Sequence, residues 1–144
     1  MQTQTVPAAA RSRRPRSLEE VEAWGRALGD MDAFLREFLD EFYVAHHPHV
    51  QAQMLSDEPQ RGDDLRANAY LAAVAEHLAL RNKLPVPGWV SEPARFLKMP
   101  YFPCGLESLK ATLLVESPPA FRRRMIFVGA DPLYRPRRGP IGVA

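Results

Sequence analysis

The chain has 144 residues, of which 46% are hydrophobic and 25% charged, and its net charge is +2; this balance excludes wholesale disorder and fits one domain with one core. A single cysteine, Cys104, excludes an intramolecular disulfide framework and points to a reducing, cytoplasmic setting. No apolar run approaches the length of a membrane span, and the first residues lack the apolar stretch of a secretion signal, so neither insertion nor export is expected.

The small net charge hides a strong asymmetry. Residues 1–16 carry Arg11, Arg13, Arg14 and Arg16 and no acid; residues 122–138 carry six arginines against Asp131. The rest of the chain is therefore acidic, a body flanked by two basic segments. Such a body attracts its own ends, or leaves them to a polyanion.

Residues 1–16, polar and basic with two prolines, read as a flexible basic arm. At Ser17 the pattern changes, because Ser17 and Glu20 have the spacing of a capping box at a helix start. Apolar residues then recur every three or four positions through Leu18, Val21, Trp24, Leu28, Met31, Leu35, Phe38, Leu39 and Phe42, opposite a solvated face of Glu19, Glu22, Arg26, Arg36, Glu37 and Asp40. Gly29-Asp30 can end one helix and start another, so 17–44 is one kinked helix or two in series. Pro48 sets the end near Val44 to His47.

Residues 45–62 read as a connector with at most one short helical turn at Val50 to Leu55. A second strong helix runs from Leu65 to Asn82, capped by Asp63 or Asp64, and its alanine- and leucine-rich faces make Ala67 to Leu80 the expected packing hub. Leu84 to Gly88 breaks the chain, and Ser91 to Lys98 can form a short helix with Pro93 in its first turn. Met99 to Gly105 is too proline-rich for a ladder strand and is expected to lie extended across the core. Leu106 to Glu116 returns to helical spacing, and Pro119-Ala120 can open a further short helix. Met125 to Val128 has strand character but no visible partner strand. The expected fold is all-α: a helical domain of four to five helices over 17–134, with 17–44 and 63–82 as an antiparallel pair, proline-rich connectors, and a flexible basic tail at 135–144.

Candidate chemistry is sparse. His46, His47 and His49 follow Asp40 and Glu41, but they sit at a frayed helix end beside Pro48, where they are not held on one helical face as in His-Glu-x-x-His, so no metal or other cofactor is expected. His77 stands alone on the central helix and reads as a hydrogen-bonded packing residue. Cys104, between Pro103 and Gly105, reads as a small buried thiol rather than a nucleophile, and the glycines stand singly, without a phosphate-binding loop. The strongest functional candidate is Phe121 with Arg122, Arg123 and Arg124. Successive guanidinium groups on a helical turn stand about 100° apart, so at least one must face inward or meet a carboxylate. The others can bind an anion or a partner protein. Arg11, Arg13, Arg14, Arg16, Arg135, Arg137 and Arg138 are candidates for sequence-independent phosphate contacts.

The stretch Tyr70-Leu71-Ala72-Ala73-Val74-Ala75-Glu76-His77-Leu78, then Pro85, Pro87, Trp89 and Pro93-Ala94-Arg95-Phe96-Leu97, and finally Glu116-Ser117-Pro118-Pro119-Ala120-Phe121-Arg122-Arg123-Arg124-Met125-Ile126-Phe127-Val128, with Pro119 to Arg124 its most specific element, resembles an uncharacterised bacterial family. Its members are small helical proteins, or domains behind a helix-turn-helix in regulators and antitoxins. The resemblance covers about half the chain, from Arg66 to Leu133, while residues 1–60 do not read as a DNA-binding domain. It implies a non-enzymatic, protein-binding module, an antitoxin-like or regulatory partner of a neighbouring protein. The rival readings are an accessory nucleic-acid binder using the basic ends and a small metal-dependent enzyme.

Overall fold

The computed structural model describes residues 13–104 and 110–136. Among these the fold is all-helical, with six α-helices and two 3-10 turns in the order α1 (Leu18–Leu28), α2 (Met31–Ala45), α3 (Pro48–Ser56), α4 (Leu65–Arg81), turns at Gly88–Ser91 and Pro93–Arg95, α5 (Lys110–Glu116) and α6 (Pro119–Arg122).

Local chemistry explains the first two helices. The Ser17 hydroxyl accepts the Glu20 N–H, while the Glu20 carboxylate reaches one residue further back than in a standard capping box, to the Arg16 N–H. Gly29 ends α1 in the left-handed region at φ 79°, and Asp30 immediately caps α2 by accepting the Ala33 N–H. Residues 17–44 are thus two helices rather than one kinked one. The chain folds back tightly enough that a Cβ on Gly25 would lie 2.6 Å from the Met31 Cα. Trp24 meets Phe34 edge-on, and Leu18, Val21, Leu35, Phe38, Leu39 and Phe42 turn inward to one core.

The connector is more ordered than the sequence implied. His46 ends α2 at φ 52°, His47 caps the next helix by accepting the His49 N–H on its ring nitrogen, and Pro48 is that helix's first residue rather than only a terminator. The result is α3, nine residues long where one turn was expected. Its Gln51 side chain donates to the Phe42 carbonyl.

The central helix is capped by Asp64, whose carboxylate accepts the Arg66 and Ala67 N–H groups. Every residue from Leu71 to Ala79 is buried. At roughly 1.5–3 kcal/mol for each large apolar side chain removed from water, Leu71, Val74 and Leu78 anchor the molecule. The expected close antiparallel pairing of 17–44 with 63–82 is not the packing observed. The closest pair is α1 with α2, and α4 takes α6 and the two 3-10 turns as its nearest backbone neighbours. Small alanines on α4 let those proline-bearing segments lie close against it.

Ser91 to Lys98 does not form an α-helix. Glu92, which precedes Pro93, is held extended at ψ 137°, and this splits the segment into two 3-10 turns. Met125 to Val128 does find a partner. The Tyr101 N–H donates to the Met125 carbonyl at 2.8 Å and the Phe127 N–H to the Tyr101 carbonyl at 2.9 Å, a single parallel bridge between Tyr101 and Ile126. Phe102 stacks on Phe127 beside it. No helix among the described residues is long and apolar enough to cross a membrane.

Candidate functional site

The arginine cluster splits in two. Phe121 is fully buried, its ring 5.5 Å from that of Tyr70 and 5.6 Å from that of His77. Arg124, three residues on and so on the same side of the turn, is fully buried too. Its guanidinium donates to the Ala120 and Val90 carbonyls at 2.7 Å and meets the Glu76 carboxylate at 2.9 Å. Burial pulls the Arg124 pKa below its ordinary value against the opposing influence of Glu76. The expected contact surface is therefore corrected at Phe121 and Arg124, which belong to the core. Arg123, half exposed, pairs with the other Glu76 oxygen at 3.1 Å, and both guanidinium groups lie over the Phe96 ring. Arg122 is exposed.

A second buried arginine escaped the sequence reading. Arg95 donates to the Asn68 and Pro59 carbonyls and to Glu58, and it lies 4.9 Å from the Trp89 ring centroid. The two arginines staple the 3-10 turns and α6 to α4 and to the loop after α3. For Arg124 the signal available in the sequence was Glu76, a carboxylate inside an alanine-rich helix that must meet a cation to be buried; Arg95, held by Glu58 and two backbone carbonyls, had no such signal.

The basic ends turn back onto the acidic body where they are described. Arg13 pairs with Glu20 at 2.6 Å and covers the Trp24 ring, Arg14 lies 3.7 Å from Glu41, and Arg135 pairs with Asp40 at 2.9 Å. Pro15 is buried between them in sequence. Residues 13–16 are thus a docked segment, not a free arm, and Arg135 is held rather than loose. Burial alone would raise the Glu20 carboxyl pKa, but the hydrogen bonds from Arg13 and the Arg16 N–H, with both positive charges, bring it below the usual range. Arg16 is exposed; Arg11, Arg137 and Arg138 lie outside the described residues.

Beside this docked segment lies a groove of about 630 Å³ between the start of α1, the end of α2 and α3. Its apolar floor is Val44, Ala45, Val50 and Met54, and Glu19, Glu20, Glu41 and Asp57 form its rim. Val44 and Val50 are 56% and 42% exposed, an unusual position for β-branched apolar side chains that line a concavity. Glu19 and Asp57 have no cation partner among the described residues. The Glu19 carboxyl is pushed up by partial burial and by the charges of Asp57 and Glu20. The groove thus sets four carboxylates against Arg16, which also lines it, and the paired Arg13 and Arg14, a net negative charge over an apolar floor.

A second cleft, of about 670 Å³, runs between α2, the start of α4, Tyr101 and the segment 132–135. Arg66 lies over the Tyr101 ring, and the Tyr70 hydroxyl pKa is pushed up to about 12 by burial and then by Asp32. Its arginines Arg36, Arg66 and Arg135 are matched by Asp30, Asp32 and Asp64, so it carries no net preference for either sign. His77 is buried against Phe121 with its pKa lowered, chiefly by desolvation. Cys104 is exposed, which corrects the expectation of a buried thiol. His46 and His47 serve as helix-end residues, and among the described residues no group of three or more His, Cys, Asp or Glu side chains could hold a metal ion.

Comparison with protein-family models, with curated proteins and with solved structures finds no match to this chain.

Proposed function

We propose that this chain is a non-enzymatic protein-binding module of the cytoplasm, an antitoxin-like or regulatory partner as the resemblance over 66–133 implies, and that the groove between α1, α2 and α3 receives its partner. One observation carries the reading: an apolar floor with exposed Val44 and Val50 beneath a rim whose Glu19 and Asp57 have no cation partner among the described residues. Charge complementarity selects the occupant, a partner segment in which aliphatic side chains alternate with lysine or arginine in the manner of an amphipathic helix laid in a groove. The arginine face first suggested by the sequence retains only Arg122 and Arg123 at the surface, which makes it the weaker choice. The exposed thiol of Cys104 fits a reducing compartment.

A fluorescein-labelled amphipathic peptide of leucine and lysine, followed by fluorescence anisotropy, tests the groove. Binding is expected to weaken by about tenfold or more in V44N/V50N, which makes the two exposed side chains of the apolar floor polar at positions where the fold tolerates change. A lysine-serine peptide of equal charge should bind far more weakly. Equal binding of the two peptides, or indifference to V44N/V50N, refutes the groove.

A further inference from the structure

Resting on that reading of the groove, we propose that residues 13–16 are a strap that occupies half of its rim, so that the chain's own arginines compete with the partner's cations. Glu20, on the first turn of α1, and Glu41, near the end of α2, are both rim residues. Arg13 holds the first through two hydrogen bonds, at 2.6 and 3.2 Å, and Arg14 lies 3.7 Å from the second, so the strap joins the two helices along one edge of the groove. Buried Pro15 and the stacking of Arg13 on Trp24 fix its path, and Arg16 itself lines the groove. The other two rim carboxylates, Glu19 and Asp57, have no cation partner among the described residues.

The strength of the contacts suits displacement rather than permanent closure. The Arg13 and Glu20 side chains are 33% and 25% exposed and those of Arg14 and Glu41 47% and 33%; ion pairs so open to water are worth only a few-fold in equilibrium constant each. A cationic segment that first engages Glu19 and Asp57 can then exchange with Arg13 and Arg14 for the remaining carboxylates at little net cost. The strap also serves as an internal image of the ligand: a short run of arginines with an apolar residue seated between them.

The leucine-lysine peptide distinguishes the possibilities in the full chain. R13A/R14A is expected to bind it about fivefold more tightly than the parent chain, since two exposed pairs no longer oppose it. R36A/R81A, which removes the same charge from exposed positions away from the strap, should leave affinity within about twofold at moderate salt, where separated charges are screened. Adding E20Q/E41Q to R13A/R14A should abolish the gain, because strap and peptide then have nothing to compete for; thermal melts confirm that each variant is folded. Unchanged or weaker binding by R13A/R14A, or an equal gain in R36A/R81A, overturns the strap while leaving the groove standing. Absence of peptide binding in every variant overturns the groove reading beneath it.

Discussion

Glu76→Gln is the sharpest perturbation of this fold. The substitution keeps the shape of the side chain and an acceptor oxygen but removes its charge, which leaves the fully buried Arg124 guanidinium with neutral acceptors only, the Ala120 and Val90 carbonyls and the new amide oxygen. Breaking one partner out of a buried ion pair costs about 3–5 kcal/mol, because the remaining charge stays out of water. Arg123 is 50% exposed, so its share of the Glu76 interaction is screened and contributes below about 1 kcal/mol. Domains have roughly 5–15 kcal/mol of stability in total, so the loss is a large fraction of the whole. For a chain of this size it lowers the melting midpoint by about 10–20 °C, measured by far-UV circular dichroism. E76L/R124M, which replaces the pair by apolar side chains, should cost much less than the sum of the two single changes, a coupling of about 2 kcal/mol or more. A Glu76→Gln protein that melts within a few degrees of the parent, or a double variant whose cost is additive, would refute the claim that this pair bolts α6 to α4.

Gly25→Ala replaces a helix-interior glycine, which by propensity alone should gain about 1 kcal/mol. Its new methyl would stand 2.6 Å from the Met31 backbone, so we expect instead a loss of about 1–3 kcal/mol in urea unfolding, with an unchanged or stabilised protein counting against the close crossing of α1 and α2. His77 has a folded pKa below its ordinary value of 6.5, chiefly through desolvation. The unfolded chain therefore binds the proton more tightly, so the stability contributed by neutral His77 is present above pH 6.5 and is lost as pH falls through the folded pKa. Stability measured across that acid limb should flatten in His77→Phe, and an identical slope in both proteins would show that His77 does not titrate in this way.

Where a structural event is local, the sequence displays it. Ser17, Gly29, Asp30 and Asp64 each act on amides or carbonyls within four residues, and the helix ends fall at those positions. The central helix was legible for a different reason, since so many small and apolar residues in one stretch can be solvated on few faces. Pro48 misled because one residue both ends α2 and begins α3, and only the second role shows that nine residues beyond it are helical. The bridge between Tyr101 and Ile126 depends on pairing distant parts of the chain, which no run of four residues announces. The buried arginines were hidden by the same nonlocality. Arg124 is a surface residue by composition, and its burial is decided by Glu76 on another helix and by carbonyls at Ala120 and Val90. Likewise the groove draws its floor from α2 and α3 and its rim from α1, α2 and the residue after α3.

The exposed position of Cys104 reaches beyond the fold into how the molecule can be handled. As the sole thiol in the sequence and open to solvent, it can couple two copies through a disulfide whenever reductant is withheld, so a dimer that vanishes on reduction reports oxidation rather than assembly. The same property offers a natural attachment point. A maleimide dye there would sit beside Pro103 at the lip of the tyrosine-lined cleft and on a different part of the surface from Val44 and Val50, giving a single-site optical reporter in the unaltered chain.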